Sequence, residues 1–283
     1  MSKLVLCAAT PTSGVRHRYL LMRQVKNFAE RFGHSVCMLW GVTSGVSFCR
    51  HEELFAPVPG IHLENTSSEE LKAITSCVAS GAPVRYKGES LKVLRPGAAP
   101  LDRFFSWDLD GSGALAKLNP GAMKSLPAKP CATLQAQLDA YVKKNEINDR
   151  LGIRVRVDEL PQQKRKPHRI QSELDAVLRS LLRIPWYARV FIATDSEYIQ
   201  QALVSHFVDS RFLPKKFDLQ HPTGRYVHRC DKQAMVTFIK EVSFLCACRK
   251  VINIGGFLND GLVHSRLIQE PYDAAAFLHV QKA

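Results

Sequence analysis

Gly152-Ile-Arg-Val-Arg-Val157 alternates strictly between apolar and basic residues after its glycine. A strand sends successive side chains to opposite faces, so Ile153, Val155 and Val157 share one face while Arg154 and Arg156 share the other. An amphipathic stretch follows over 170–183, with Leu174, Val177, Leu178 and Leu181 at helical spacing. Next comes the apolar run 190–193, then Thr194-Asp195-Ser196, which opens another helix. Strand, helix, strand, helix in this order predicts a parallel α/β sheet. The rhythm continues over 231–248 through Met235, Phe238, Val242 and Leu245, and a strand at 251–254 precedes Gly255-Gly256 and a last helix.

The first half opens the same way. Apolar residues 4–8 read as a strand, and Thr10-Pro-Thr-Ser-Gly14 as a turn. Leu21, Val25, Phe28 and Phe32 then recur at spacings of 4, 3 and 4, predicting a helix from about Tyr19 with Gly33 at its C-cap. A second strand at 35–40 completes a βαβ opening. Ser67-Ser-Glu-Glu70 has the form of a capping box for a helix reaching about Ala79. Residues 80–130 are rich in Gly, Pro, Ser and Lys and predict loops and short strands. A helix at 133–144 comes next. We therefore expect two α/β domains, 1–148 and 149–283.

The 283 residues exceed one typical domain, and 46% hydrophobic with 23% charged residues is ordinary globular composition. No apolar run reaches the roughly 18 residues that span a bilayer. The eight cysteines are scattered through apolar segments, as buried free thiols are, so a cytoplasmic location is expected. Cys246-Ala-Cys248 lacks a second pair at zinc spacing, and Asp108–Asn119 imitates a calcium loop but ends on Asn119 where Glu belongs. No metal or cofactor is expected. Thirty-nine basic against 26 acidic residues give a net charge of +13, which suits an anionic ligand. No helix-turn-helix, zinc module or RNP-like strand accompanies that charge, so nucleic acid is not favoured.

In open α/β sheets ligands lie beyond the strand carboxyl ends. Three segments of the second half arrive there. Arg154 and Arg156 can grip phosphate, or can be solvated arginines of an edge strand. Thr194-Asp195-Ser196 can meet an anion at a helix N-terminus, or simply cap that helix. Gly255-Gly256 can let backbone amides approach phosphate, or form a tight turn. Ser13-Gly-Val-Arg-His-Arg18 in the first half has neither the dinucleotide-binding nor the P-loop spacing.

Taken in order, these segments resemble the fucosyltransferase superfamily that includes bacterial nodulation-factor α1,6-fucosyltransferases and eukaryotic α1,6- and protein O-fucosyltransferases. The glycine turn with His17-Arg18 resembles that family's glycine-rich loop ending in Asn-Arg. Leu39-Trp40, Cys49 and Glu53-Leu-Phe55 resemble its Trp…Cys…Phe stretch, and Ser125–Pro130 its link into the second domain. Gly152-Ile-Arg-Val-Arg156 is similar to its Gly-x-His-x-Arg strand, 190–196 to its next strand, and 238–252 to its late helix and strand.

The resemblance implies a GT-B-like pair of Rossmann-like domains facing a cleft, and an inverting, metal-independent glycosyltransferase that uses GDP-fucose or a related nucleotide sugar. Arg156 stands where the family's arginine contacts the diphosphate, with Arg154 in the place of its histidine. Glu241 stands where a carboxylate reads guanine, and Gly255-Gly256 replace its serines. Thr194, Asp195 and Ser196 complete the donor side. Arg16, His17, Arg18 and Trp40 are the acceptor-side candidates for a glycan or other hydroxyl. The family's acidic base falls at Lys164, so no base is assigned, although Asp158 and Glu159 are near. A catalytically silent nucleotide-sugar or glycan-binding relative is the other reading, with a basic nucleic-acid-binding protein behind it.

Overall fold

The computed structural model describes residues 3–9, 15–42, 49–94, 102–108, 128–155, 167–218, 225–226 and 232–254, without every side chain in those spans. The chain divides into two compact units, Met1–Ala132 with Arg229–Met235, and Thr133–His228 with Val236–Ala283. The division thus falls one helix earlier than residue 148, because helix Ala132–Asn145 packs with the second sheet and its helices rather than with the first.

In the first unit, β1 (Leu4–Ala9), helix α1 (Val15–Phe32) and β2 (Ser35–Gly41) form the expected βαβ opening. Helix α1 starts four residues before Tyr19, and Gly33 ends it at φ +70, a left-handed position that only glycine takes without strain. A short helix α2 (His51–Leu54), β3 (His62–Thr66) and helix α3 (Ser68–Ser80) come after it. Ser67 Oγ accepts from Glu70 N at 3.2 Å and Glu70 Oε2 accepts from Ser67 N at 2.8 Å, so the capping box is formed as its sequence predicts. The hairpin β4 (Val84–Tyr86) and β5 (Glu89–Val93), then β6 (Arg103–Asp108), complete a sheet of order β3-β2-β1-β6-β5-β4. Among its described strands only the β4–β5 pairing is antiparallel. One face packs Leu6, Ala8, Leu39 and Phe105 on Leu71 and Ile74 of α3.

The second unit begins with helix α4 (Ala132–Asn145) and β7 (Leu151–Val155). Helix α5 (Pro167–Leu181), β8 (Val190–Thr194), helix α6 (Glu197–His206) and β9 (Ser210–Phe212) are next in the chain. The small pair β10 (Phe217–Asp218) and β11 (Arg225–Tyr226) precedes helix α7 (Lys232–Ala247) and β12 (Lys250–Ile254). The main sheet has order β12-β7-β8-β9, and its described pairings are all parallel. Ile153, Val155, Val190 and Ile192 bury one face under Leu174, Val177, Leu178 and Leu181 of α5 and Ile199 and Leu203 of α6. On the other face Phe191 meets Phe244 of α7 edge-on at 5.5 Å, and Phe244 stacks on Tyr141 of α4 at 4.3 Å. Alternation along each strand assigns its residues to one layer or the other.

Arg150 pins the amino end of this sheet. It is 1% exposed, donates to Asn145 O at 2.7 Å, and grips both carboxylate oxygens of Asp209 at 2.9 and 3.3 Å. Among the described residues no helix is long and apolar enough to cross a membrane, and the cysteines are free thiols. The calcium-like stretch after Asp108 and the helix expected after Gly256 lie outside the described residues.

Candidate functional site

The second sheet changes direction at β7. The chain steps from β7 out to β8 and β9, then returns on the other side of β7 as β12. Connections leave such a point toward opposite faces, and a crevice opens beyond the strand carboxyl ends. There Arg154 and Val155 of β7, Ala193 and Thr194 of β8, Asp195, Lys215, and Phe238, Glu241, Val242 and Leu245 of α7 line one pocket.

Strand alternation places Arg154. Ile153 and Val155 are committed to the core under α5 and α6, so Arg154 leaves on the α7 face, where Nη1 donates to Asn253 Oδ1 of β12 at 2.9 Å. Gly152 lies on that same face. A Cβ added there would sit 3.0 Å from Leu245 Cδ2, 3.1 Å from Val251 Cγ2 and 3.2 Å from Cys248 Sγ. Helix α7 approaches β7 this closely because position 152 has no side chain.

Thr194-Asp195-Ser196 resolves residue by residue. Ser196 is fully buried, and its hydroxyl accepts from Ile199 N at 3.4 Å as the N-cap of α6. Its own amide donates to Thr194 Oγ1 at 3.2 Å. Ser196 therefore serves the helix, whereas Thr194 and Asp195 line the pocket.

Lys215 is the site residue that the sequence does not announce. Its side chain is 1% exposed, its Nζ lies 2.5 Å from Glu241 Oε1, and it donates to Thr194 O at 2.5 Å. Pro214-Lys-Lys-Phe217 carries neither helical nor strand period, so nothing local distinguishes Lys215 from a solvated loop lysine. Within the sheet the segment after β9 runs beside the end of β8, and the ammonium reaches back across it to the carboxylate of α7. The space left among these side chains is about 40 Å³. Lys215 fills the pocket from inside.

The remaining sequence-derived candidates fall elsewhere. Arg156, Gly255 and Gly256 lie outside the described residues, as do the side chains of Arg16 and His17 on α1. Arg18 and Trp40 are buried inside the first unit, at 2% and 0% exposure. The Arg18 guanidinium lies over the Trp40 ring, 4.5 Å from its centroid, and donates to Gly41 O at 2.8 Å, while Trp40 Nε1 donates to Cys49 O at 3.0 Å. Burial lowers the Arg18 pKa to about 10, still charged at neutral pH. Tyr19 and His51 share a hydrogen bond of 3.0 Å beside this pair, and burial lowers the His51 pKa to about 4. In this structure Trp40 is a core side chain.

The chain matches no family model and no curated protein sequence. Solved structures do match it. The likeness is to fucosyltransferases. NodZ α-1,6-fucosyltransferase, crystallised with GDP, is 13% identical over 91% of this chain and 90% of its own, with a TM-score of 0.47. Fucosyltransferase FUT1 of Arabidopsis thaliana with GDP is 12% identical over 89% of this chain and 66% of its own, with a TM-score of 0.46. POFUT1 with GDP-fucose is 11% identical over 88% and 89%, with a TM-score of 0.39.

Proposed function

We propose that the second unit binds a nucleotide sugar and that the chain is a glycosyltransferase of fucosyltransferase type, with GDP-fucose or a related sugar as donor. One observation carries the reading. Arg154, Thr194 and Asp195, which the sequence places at strand ends where ligands bind, and Glu241, which the resemblance implies, line a single pocket at the direction change of a parallel sheet. Glycosyl transfer builds negative charge on the departing diphosphate. Arg156, which the alternation of the sequence assigns to the same face as Arg154, supplies the positive charge that the reaction needs, so no metal need supply it. Glu241 supplies a carboxylate able to accept from guanine N1–H and the exocyclic amine together. It does so once Lys215 has left it, and the freed ammonium then turns to the diphosphate.

The same pair supports the second reading, a silent nucleotide-sugar-binding relative. Arg154 replaces the motif histidine and is held by Asn253, while Lys215 occupies Glu241. A thermal-shift panel of GDP, GDP-fucose, UDP, ATP and NAD tests donor binding, because a ligand that binds only the folded chain raises its melting point. GDP and GDP-fucose should stabilise most, and equal shifts for all diphosphates would remove guanine recognition. Release of GDP from bound GDP-fucose then separates the two readings, since a silent relative stabilises without turnover. Arg156→Ala should lose roughly 1.5–3 kcal/mol of donor affinity, about ten- to a hundredfold. Wild-type binding by that variant would place the site elsewhere.

A further inference from the structure

The first unit carries a second constellation, one with no part in nucleotide-sugar binding. Cys37 on β2 and His62 on β3 are direct partners in the parallel register, as are Leu39 and Glu64 two residues on. Residues two apart on a strand share a face, so Cys37, His62 and Glu64 project together from two neighbouring strands. Their ligand atoms, Cys37 Sγ, a His62 ring nitrogen and a Glu64 carboxylate oxygen, all lie within 4.8 Å of one another. The sulfur end is buried and the imidazole end is exposed, which leaves the cluster open to an arriving ion. His62 Nε2 is already 2.9 Å from Glu64 Oε1.

We propose that Cys37, His62 and Glu64 form a binding site for a zinc-type divalent cation. Thiolate, imidazole and carboxylate are the donor set of Zn²⁺, whereas Mg²⁺ and Ca²⁺ select oxygen alone. Tetrahedral zinc at about 2.0–2.3 Å from each ligand needs donor atoms roughly 3.3–3.7 Å apart. The three ligand atoms lie within 4.8 Å of one another, so the exposed imidazole and the half-buried carboxylate close in on a bound ion by side-chain rotation. Tyr86 completes the surroundings. Its hydroxyl lies 3.2 Å from Cys37 Sγ and donates to Glu64 Oε1 at 2.9 Å, where it orients both ligands. On binding, the Cys37 thiol gives its proton to solvent, and water takes the fourth position.

The cluster already attracts a cation. Lys87 takes a left-handed φ of 47 in the two-residue hairpin turn with Gly88, a conformation disfavoured for a side chain of this kind, and its Nζ lies 2.5 Å from Glu64 Oε1. The ammonium is exposed and is displaced without disturbing any core. Cys37 and His62 lie in the amino halves of their strands, away from the carboxyl ends where α/β ligands react, and β3 is the edge strand of its sheet. A bound ion ties that edge to β2 through side chains as well as through the ladder.

The test titrates chelator-treated full-length protein with Co²⁺ and with Zn²⁺. One Co²⁺ per chain should bind with the near-ultraviolet charge-transfer absorption of a cobalt–thiolate bond, and equimolar Zn²⁺ should displace it and raise the melting temperature. Cys37→Ser should abolish the absorption, and His62→Gln should weaken binding roughly ten- to a hundredfold. Lys87→Met should tighten it, because Glu64 then has no competing ammonium. His62 and Lys87 are exposed, so both variants report even if Cys37→Ser fails to fold. Absorption that persists undiminished in Cys37→Ser or His62→Gln, or no thiolate band in the wild type, overturns the site.

Discussion

Replacing Lys215 by methionine keeps an unbranched side chain, one atom shorter, and removes the ammonium, so the variant probes the ion pair at the centre of the pocket. In the wild type the ammonium lies 2.5 Å from Glu241 Oε1 and 2.5 Å from Thr194 O, with 1% of the lysine and 9% of the glutamate side chain exposed. Without it a carboxylate stands among Phe238, Val242 and Leu245 with that counter-charge gone. Breaking a buried pair from one side costs about 3–5 kcal/mol, because the surviving charge stays desolvated. Glu241→Met strands the ammonium and should cost a similar amount. The double variant leaves two apolar side chains of matching volume and should regain most of the loss, a coupling of about 2 kcal/mol or more. At about 2–4 °C per kcal/mol, Lys215→Met should lower the second unit's transition by roughly 6–20 °C. Calorimetry and urea unfolding of the four proteins measure the cycle. Single losses below about 1 kcal/mol that simply add in the double variant would refute the pair as the element that closes the pocket.

Packing and charge set three further outcomes. Gly152→Ala puts a methyl 3.0–3.2 Å from Leu245, Val251 and Cys248 and should cost about 1–3 kcal/mol, read as a lower urea midpoint; wild-type stability would mean that α7 has slack against β7. Asp209→Ala leaves the fully buried Arg150 without its carboxylate and should cost about 3 kcal/mol, whereas a loss under 1 kcal/mol would show the Asn145 and Asp209 carbonyls sufficing. His51, buried, has its pKa lowered from 6.5 to about 4, so its folded value lies below its unfolded one. Stability is complete above pH 6.5 and falls as pH drops from 6.5 to 4, by at most about 3 kcal/mol. His51→Gln should flatten that slope, and an unchanged slope in urea unfolding at several pH values would assign the acid loss to other groups.

How much of the structure is legible in the sequence depends on how far apart the deciding contacts lie. Helix α3 is readable because both halves of its cap lie within four residues, Ser67 and Glu70. Strand β7 is readable because alternation assigns each residue to a face before any partner is known. Strand β6 is different. Arg103–Asp108 lies within a Gly- and Pro-rich stretch, yet it pairs with β1 near the centre of the first sheet, and the pairing joins residues about a hundred positions apart. Arg18 and Trp40 show the same limit: an arginine and an aromatic can face a ligand or face each other, and 22 positions of separation hide the choice. Lys215 depends on Thr194 and Glu241, which lie 21 and 26 positions away on either side.

The same distinction sets the weight of the individual motif residues. Gly152 is required by the approach of α7, and Ser196 by the cap of α6, so a fold of this kind demands both whether or not a nucleotide binds. Neither can separate an active transferase from a silent relative. Arg154 and Glu241 are polar groups spent within the pocket, one on Asn253 and one on Lys215, where an apolar pair of the same size would pack without loss. The proposed anionic ligand would give both arginine and lysine a new partner and free Glu241 to accept hydrogen bonds. Nucleotide binding is therefore to be tested at Arg154, Lys215 and Glu241, whose charges meet in the pocket.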